Sequence, residues 1–176
     1  MHIPEKYKWL SNEPGPKMIL EFLKVFGVKE TPGPDDNPEI LAWAKEVGLE
    51  DKYVDDATPW CGLEIAVIAQ RAGKEVVKDP LWALNWAKFG TKVDTPMLGD
   101  VLVFKRPQGG HVGLYVGEDK VAYHVAGGNQ SDQSQIIRIE KTRLYAARRP
   151  VYKTGQPANV RVIQLSNDGK LSTNES

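Results

Sequence analysis

One cysteine, Cys61, stands in the 176-residue chain, so no internal disulfide is possible and its sulfur is left for other chemistry. It follows Thr58-Pro59-Trp60 and leads into an apolar run of Leu63, Ile65, Ala66, Val67, Ile68, Ala69 and Ala72. A hydroxyl, then a proline, then apolar residues is a helix start, with Thr58 as the predicted N-cap and Pro59 at the first helical position. Cys61 would then lie in the first turn. Unpaired N–H groups and the positive end of the helix dipole favour a thiolate there. On position alone, a nucleophile and a small buried hydrophobe are equally good readings of such a cysteine.

His111 shifts that balance. It opens an alternating segment after Gly109-Gly110, with Val112, Leu114 and Val116 on one face and His111, Gly113 and Tyr115 on the other. An imidazole in reach of the thiol would act as general base and hold the thiolate as an ion pair. Gly113 has no side chain and is expected to leave room beside the ring for a substrate chain. A third group should orient the imidazole. Asn129, after Gly127-Gly128 at the end of the next strand, is the predicted one; plain turn chemistry is its other reading. His124, nearer the middle of that strand, competes for the role. It is otherwise grouped with Trp60, Gly62 and Gly113 as lining the substrate's path.

The elements that must bring these residues together are read from periodicity. Helical spacing and start signals predict a helix from Lys17 to Phe26 and a second to about Val47, capped by Asn37 with Pro38 at its first position. The Cys61 helix is apolar nearly all round and should be central. Asp79-Pro80 opens a short helix carrying Trp82, Ala83, Trp86 and Phe89. From Asp100 the period becomes two: Val101–Phe104, His111–Val116, Val121–Val125, Gln135–Ile139 and Leu144–Arg149 read as an antiparallel sheet. Helices first and strands second is an α+β order. The predicted domain spans 1–150. Residues 151–176 read as a tail, with one further strand at 160–165 and a loose polar end.

The formal net charge is zero, which argues against a nucleic-acid binder. Lys141, Arg143, Arg148 and Arg149 read as a solvated strand face. No apolar stretch approaches the roughly 20 residues of a membrane span, and the N-terminus lacks the pattern of a secretory signal, so a product made and kept in the cytoplasm until release or delivery is expected. Three histidines and one cysteine lack zinc spacing, and no phosphate loop appears; no metal or cofactor is expected. Asp35-Asp36-Asn37 and Asp55-Asp56 read as caps and loops in preference to Ca²⁺ ligands.

Three segments together resemble the papain-like cell-wall hydrolases, the CHAP (cysteine, histidine-dependent amidohydrolase/peptidase) and NlpC-type enzymes, above all a phage-associated branch. They are Thr58-Pro59-Trp60-Cys61-Gly62, Gly110-His111-Val112-Gly113-Leu114-Tyr115-Val116-Gly117 and Gly127-Gly128-Asn129-Gln130-Ser131-Asp132. Gly33-Pro34-Asp35-Asp36-Asn37-Pro38 and Arg148-Arg149-Pro150 extend the likeness over about Met18 to Pro150. The resemblance implies a papain-like fold, with the nucleophile helix packed on the sheet, and a triad of Cys61, His111 and Asn129. It implies cleavage of a peptidoglycan amide, in a peptide stem or between sugar and peptide, by a monomer. The implied settings are an endolysin released through a holin, a virion wall-opening protein, or a secreted toxin met by an immunity protein. Gly127 stands where many CHAP domains carry Glu. Trp60 stands where other branches carry a polar residue, which leaves N–H groups at Cys61 and Gly62 as oxyanion donors. A non-catalytic binding module of the same fold and a cysteine protease acting on protein are the competing readings.

Overall fold

The computed structural model describes residues 2–173 and 175. Three α-helices come first: α1 (Lys17–Val25), α2 (Pro38–Glu46) and α3 (Cys61–Arg71). Seven strands follow: β1 (Thr91–Lys92), β2 (Val101–Lys105), β3 (Gly110–Glu118), β4 (Ala122–Gly127), β5 (Gln135–Glu140), β6 (Leu144–Arg149) and β7 (Leu171–Ser172). They form one sheet in the order β1-β6-β2-β3-β4-β5-β7, antiparallel except where β7 joins β5. The fold is α+β. Among the described residues no helix is long and apolar enough to cross a membrane.

The two periodicities build two cores. Val101, Val103, Val112, Leu114 and Val116 face the helices and join Ile19, Phe22, Trp43 and the wholly buried side of α3. The alternate residues Leu102, Phe104, Tyr115, Val125 and Ile139 close a second cluster on the other face. The sheet is therefore covered on both sides. β3 lies at its centre, pairing β2 over Gly110–Leu114 and β4 over Leu114–Glu118. Its first four residues are thus free of β4, and α3 packs against this strand.

Asn37 caps α2 as predicted, its Oδ1 accepting from Glu39 N at 2.8 Å. Several boundaries differ. Glu5–Asn12 and Ala83–Lys88 are 3₁₀ helices, the first unpredicted. Residues 160–165 do not make a strand; they lie along β3 through Glu118, which bonds Ile163 and Leu165 at 2.8 Å each. The described residues of the polar end are tied to the sheet, while 174 and 176 lie outside the described residues. Arg138 donates to Gly169 O at 2.5 Å, β7 pairs with β5, and Glu175 is fully buried against Arg143, with N···O distances of 2.7 and 2.6 Å.

Candidate functional site

The mouth of α3 is built differently from the predicted cap. Thr58 turns back, with its N–H and its hydroxyl both bonding Asp55 Oδ1 at 2.9 Å. Trp60 occupies the N-cap position without a side-chain cap bond, and Cys61 is the first helical residue. The first intrahelical bond runs from Glu64 N to Trp60 O at 2.9 Å, so the N–H groups of Cys61, Gly62 and Leu63 precede it. Gly62 is required by packing: a Cβ there would collide with the Pro80 carbonyl and lie 3.1 Å from Leu81 O. The chain at 80–81 thereby crosses the helix mouth.

Cys61 is 3% exposed, and its sulfur lies against the backbone of β3. Burial pushes the Cys61 thiol up; the backbone N–H groups of Val112 and Gly62 and the charge of Arg106 act against that. Val112 immediately follows His111, in the stretch of β3 that β4 leaves unpaired. Cys61 therefore reaches the backbone of β3 one residue beyond His111.

His111 is fully buried and stacks on Phe104, ring centres 6.5 Å apart. Its Nε2 lies 2.9 Å from Gln130 Oε1. The Gln130 amide nitrogen donates to Val125 O at 3.2 Å and Gln135 O at 2.6 Å, which fixes the orientation of the amide. Its oxygen must face the ring, so Nε2 carries the proton and Nδ1 the lone pair. Nδ1 is buried and has no hydrogen-bond partner among the described residues. Burial pushes His111 down to about 4, against the opposing pull of the Glu175 carboxylate and the Gln130 bond. With the thiol shifted up and the imidazole down, the resting pair is neutral, in contrast to the expected ion pair.

Several predicted residues stand elsewhere. Asn129 is buried in a left-handed conformation, φ 53°, and it is the next residue, Gln130, that bonds His111. His124 is in a separate buried cluster, bonded to Tyr7 Oη at 2.7 Å and Asp119 Oδ2 at 2.9 Å. The room left by Gly113 is filled by β4: a Cβ there would lie 2.5 Å from Val125 Cγ1 and 2.8 Å from Ala126 O. Trp60 belongs to the core and not to a cleft wall. It is wholly buried, tilted on Trp43 at 6.0 Å, with Nε1 donating to Glu30 Oε1 at 2.7 Å. The walls come from residues not singled out. Cys61 opens on a cleft of about 430 Å³ with Leu49, Pro59, Trp82, Arg106 and Gly109. Trp82 is 58% exposed, an unusual state for the largest apolar side chain. Two roomier hollows, about 570 and 700 Å³, contain neither Cys61 nor His111.

No group of three His, Cys, Asp or Glu among the described residues is placed to hold a metal ion. The acidic loops serve as acceptors: Asp56 Oδ2 takes Thr31 N at 3.0 Å and Asn37 N at 2.8 Å, and Asp36 Oδ1 takes Asp56 N at 2.9 Å. The basic residues are paired, Lys141 with Glu118, Arg143 with Glu175 and Arg149 with Asp100, while Arg148 donates to the Phe89 carbonyl at 2.5 Å. No family model matches this chain, and no curated protein matches it.

Proposed function

We propose that the chain is a cysteine-dependent hydrolase of papain-like fold that cleaves an amide bond of peptidoglycan. Cys61 is its nucleophile, His111 its base, and Gln130 the group that orients the base. One observation carries the reading. At a helix mouth, a cysteine sulfur lies against the strand backbone one residue beyond a histidine whose Nε2 is pinned as a donor and whose Nδ1 keeps an unused lone pair. Peptidoglycan as the substrate rests on the resemblance of the three motifs around these residues.

Starting from the neutral pair, His111 Nδ1 takes the thiol proton as Cys61 Sγ attacks the amide carbonyl. The imidazolium keeps its Nε2–H on Gln130, which prevents the ring from turning away. The N–H groups at the start of α3 receive the oxyanion. Nδ1–H then protonates the leaving amine, and the C–N bond breaks to leave a thioester. Water, losing its proton to Nδ1, releases the acid and restores the thiol. The downward shift of His111 suits this role, since the base is free at neutral pH and is lost only as the pH nears about 4.

Incubation with purified peptidoglycan, followed by mass analysis of the fragments, tests the reading and names the bond. New amine and carboxyl ends are expected with the native chain and none with Cys61→Ala; lysis by that variant would refute the mechanism. The burial of Cys61 and His111 also suits a non-catalytic module of the same fold. Fast alkylation of Cys61 by iodoacetamide, several-fold above that of a free cysteine, is expected of the enzyme and not of the module.

A further inference from the structure

α3 carries an acid where an apolar residue would be ordinary. Glu64, one turn after Cys61, is fully buried, and neither carboxyl oxygen accepts a well-formed hydrogen bond among the described residues. The buried Ser134 hydroxyl is the one neighbour that draws it toward the charged form. A charged carboxylate without partners in such a place costs several kcal/mol, so the group is held neutral. Burial pushes it up to about 8.

Its position gives that proton a use. The carboxyl lies under the loop that follows β4: a Cβ on Gly128 would stand 2.8 Å from Glu64 Oε2 and 2.5 Å from the Trp60 ring. Two residues later the same loop delivers Gln130 to His111. On its other side the loop is tied to residues 27–30, by Gly27 N to Ser134 O at 2.7 Å and Glu30 N to Asp132 O at 2.9 Å. The groups facing Glu64 are Ser134 just before β5, the Trp60 indole and Cys61 on its own helix. Glu30 bonds the far edge of that indole. No charged side chain from the loop, from β4 or from 27–30 offsets an ionised Glu64.

We propose that Glu64 is a positioning residue whose neutral carboxyl keeps the 128–134 loop seated on α3, so that loss of its proton unseats the loop and frees His111 from Gln130. The inference rests on the proposed roles of His111 and Gln130, and it makes the site shut down in alkaline solution.

The test follows two signals in the full chain from about pH 6 to about pH 9.5, the His111 Nε2–H resonance by NMR and the rate of peptidoglycan hydrolysis. In the native chain the resonance is expected to broaden with a midpoint near 8, and hydrolysis to fall about tenfold with the same midpoint. In Glu64→Gln, which keeps shape and neutrality, both should persist to the end of the range. An alkaline loss unchanged in Glu64→Gln would overturn the proposal. Carboxyl-carbon titration of native Glu64 supplies a measurement that needs no variant, and a midpoint different from that of the His111 resonance would also overturn it. A chain that hydrolyses nothing, yet whose His111 resonance follows Glu64, would sustain the positioning and refute the hydrolase.

Discussion

Two fully buried histidines sit on neighbouring strands of one sheet, and they are finished differently. His124 is satisfied at both nitrogens, by Tyr7 and by Asp119. Asp119 in turn takes Arg138 Nε at 2.8 Å and the backbone N–H groups of Val121 and Ala122 at 3.0 and 3.1 Å, which hold its carboxyl well below the usual range. His111 is satisfied at one nitrogen and open at the other. Burial lowers the pKa of both rings, so a shifted pKa does not separate them. The unused lone pair does. A bare Nδ1 on a buried ring, where the neighbouring ring is completed to the last donor, is what the proposed base role of His111 requires.

The largest expected effects set the two rings apart most sharply. Cys61→Ala and His111→Ala should each lower peptidoglycan hydrolysis by about a thousandfold or more, with urea melts showing a folded chain. His124→Ala should leave the rate per folded molecule unchanged. It should cost about 2–4 kcal/mol of stability, because Tyr7 and Asp119 lose a buried partner. Loss of hydrolysis in folded His124→Ala equal to that in His111→Ala would erase the distinction.

A second contrast lies between two adjacent amides. Gln130→Ala should reduce kcat by about 10- to 100-fold, less than the roughly 10⁴ lost with a buried orienting carboxylate, because a neutral amide stabilises the imidazolium less. Asn129→Ala should leave kcat within about twofold and cost about 1 kcal/mol, the penalty of a left-handed conformation for alanine. A reversal of the two in steady-state kinetics would return the orienting role to Asn129.

These contrasts also mark where the chain could be read without coordinates. The order of helices and strands follows from caps and periodicity alone, and the approach of Cys61 to the start of the His111 strand is expected from residue types and the family resemblance. The register of the loop after β4 does not. Asn129, Ser131 and Asp132 all adopt positive φ, 53°, 53° and 57°, and this turns Gln130 inward where residue spacing points to Asn129. The Trp60–Glu30 and Arg143–Glu175 pairs join residues 30 and 32 positions apart, so local pattern placed Trp60 in the cleft and left the polar end loose. Glu64 did have a local sign, a lone acid inside an apolar helical run.

That acid supplies a smaller effect, one on stability. Its pKa is raised on folding from 4.5 to about 8, so its contribution is fully present below about 4.5 and is lost as the pH climbs to 8. The lowered histidine pKa values act on the other side: His111 and His124 cost stability only as the pH falls below about 6.5. Above about pH 7 both rings are largely neutral in both states, and Glu64 sets most of the slope among the three. Unfolding free energy should fall by about 1 kcal/mol between about pH 7 and 9. Glu64→Gln should flatten that fall in urea melts taken across the range, and His124→Ala should not.

The smallest expected effect concerns the rim, where the buried pair meets solvent. Trp82 leaves 58% of its surface in water on the cleft that Cys61 also lines, with its ring edge near Gly109. It carries no group assigned to the proton transfers and offers a substrate apolar surface to cover. Trp82→Ala should remove about 1 kcal/mol of such contact and raise KM about fivefold, with kcat unchanged. Because the contact is equal in the ground and transition states, the pH profile should keep the midpoints of the native chain. A fall in kcat, or a displaced midpoint, would mean that the rim holds the buried pair in register and is not merely its entrance.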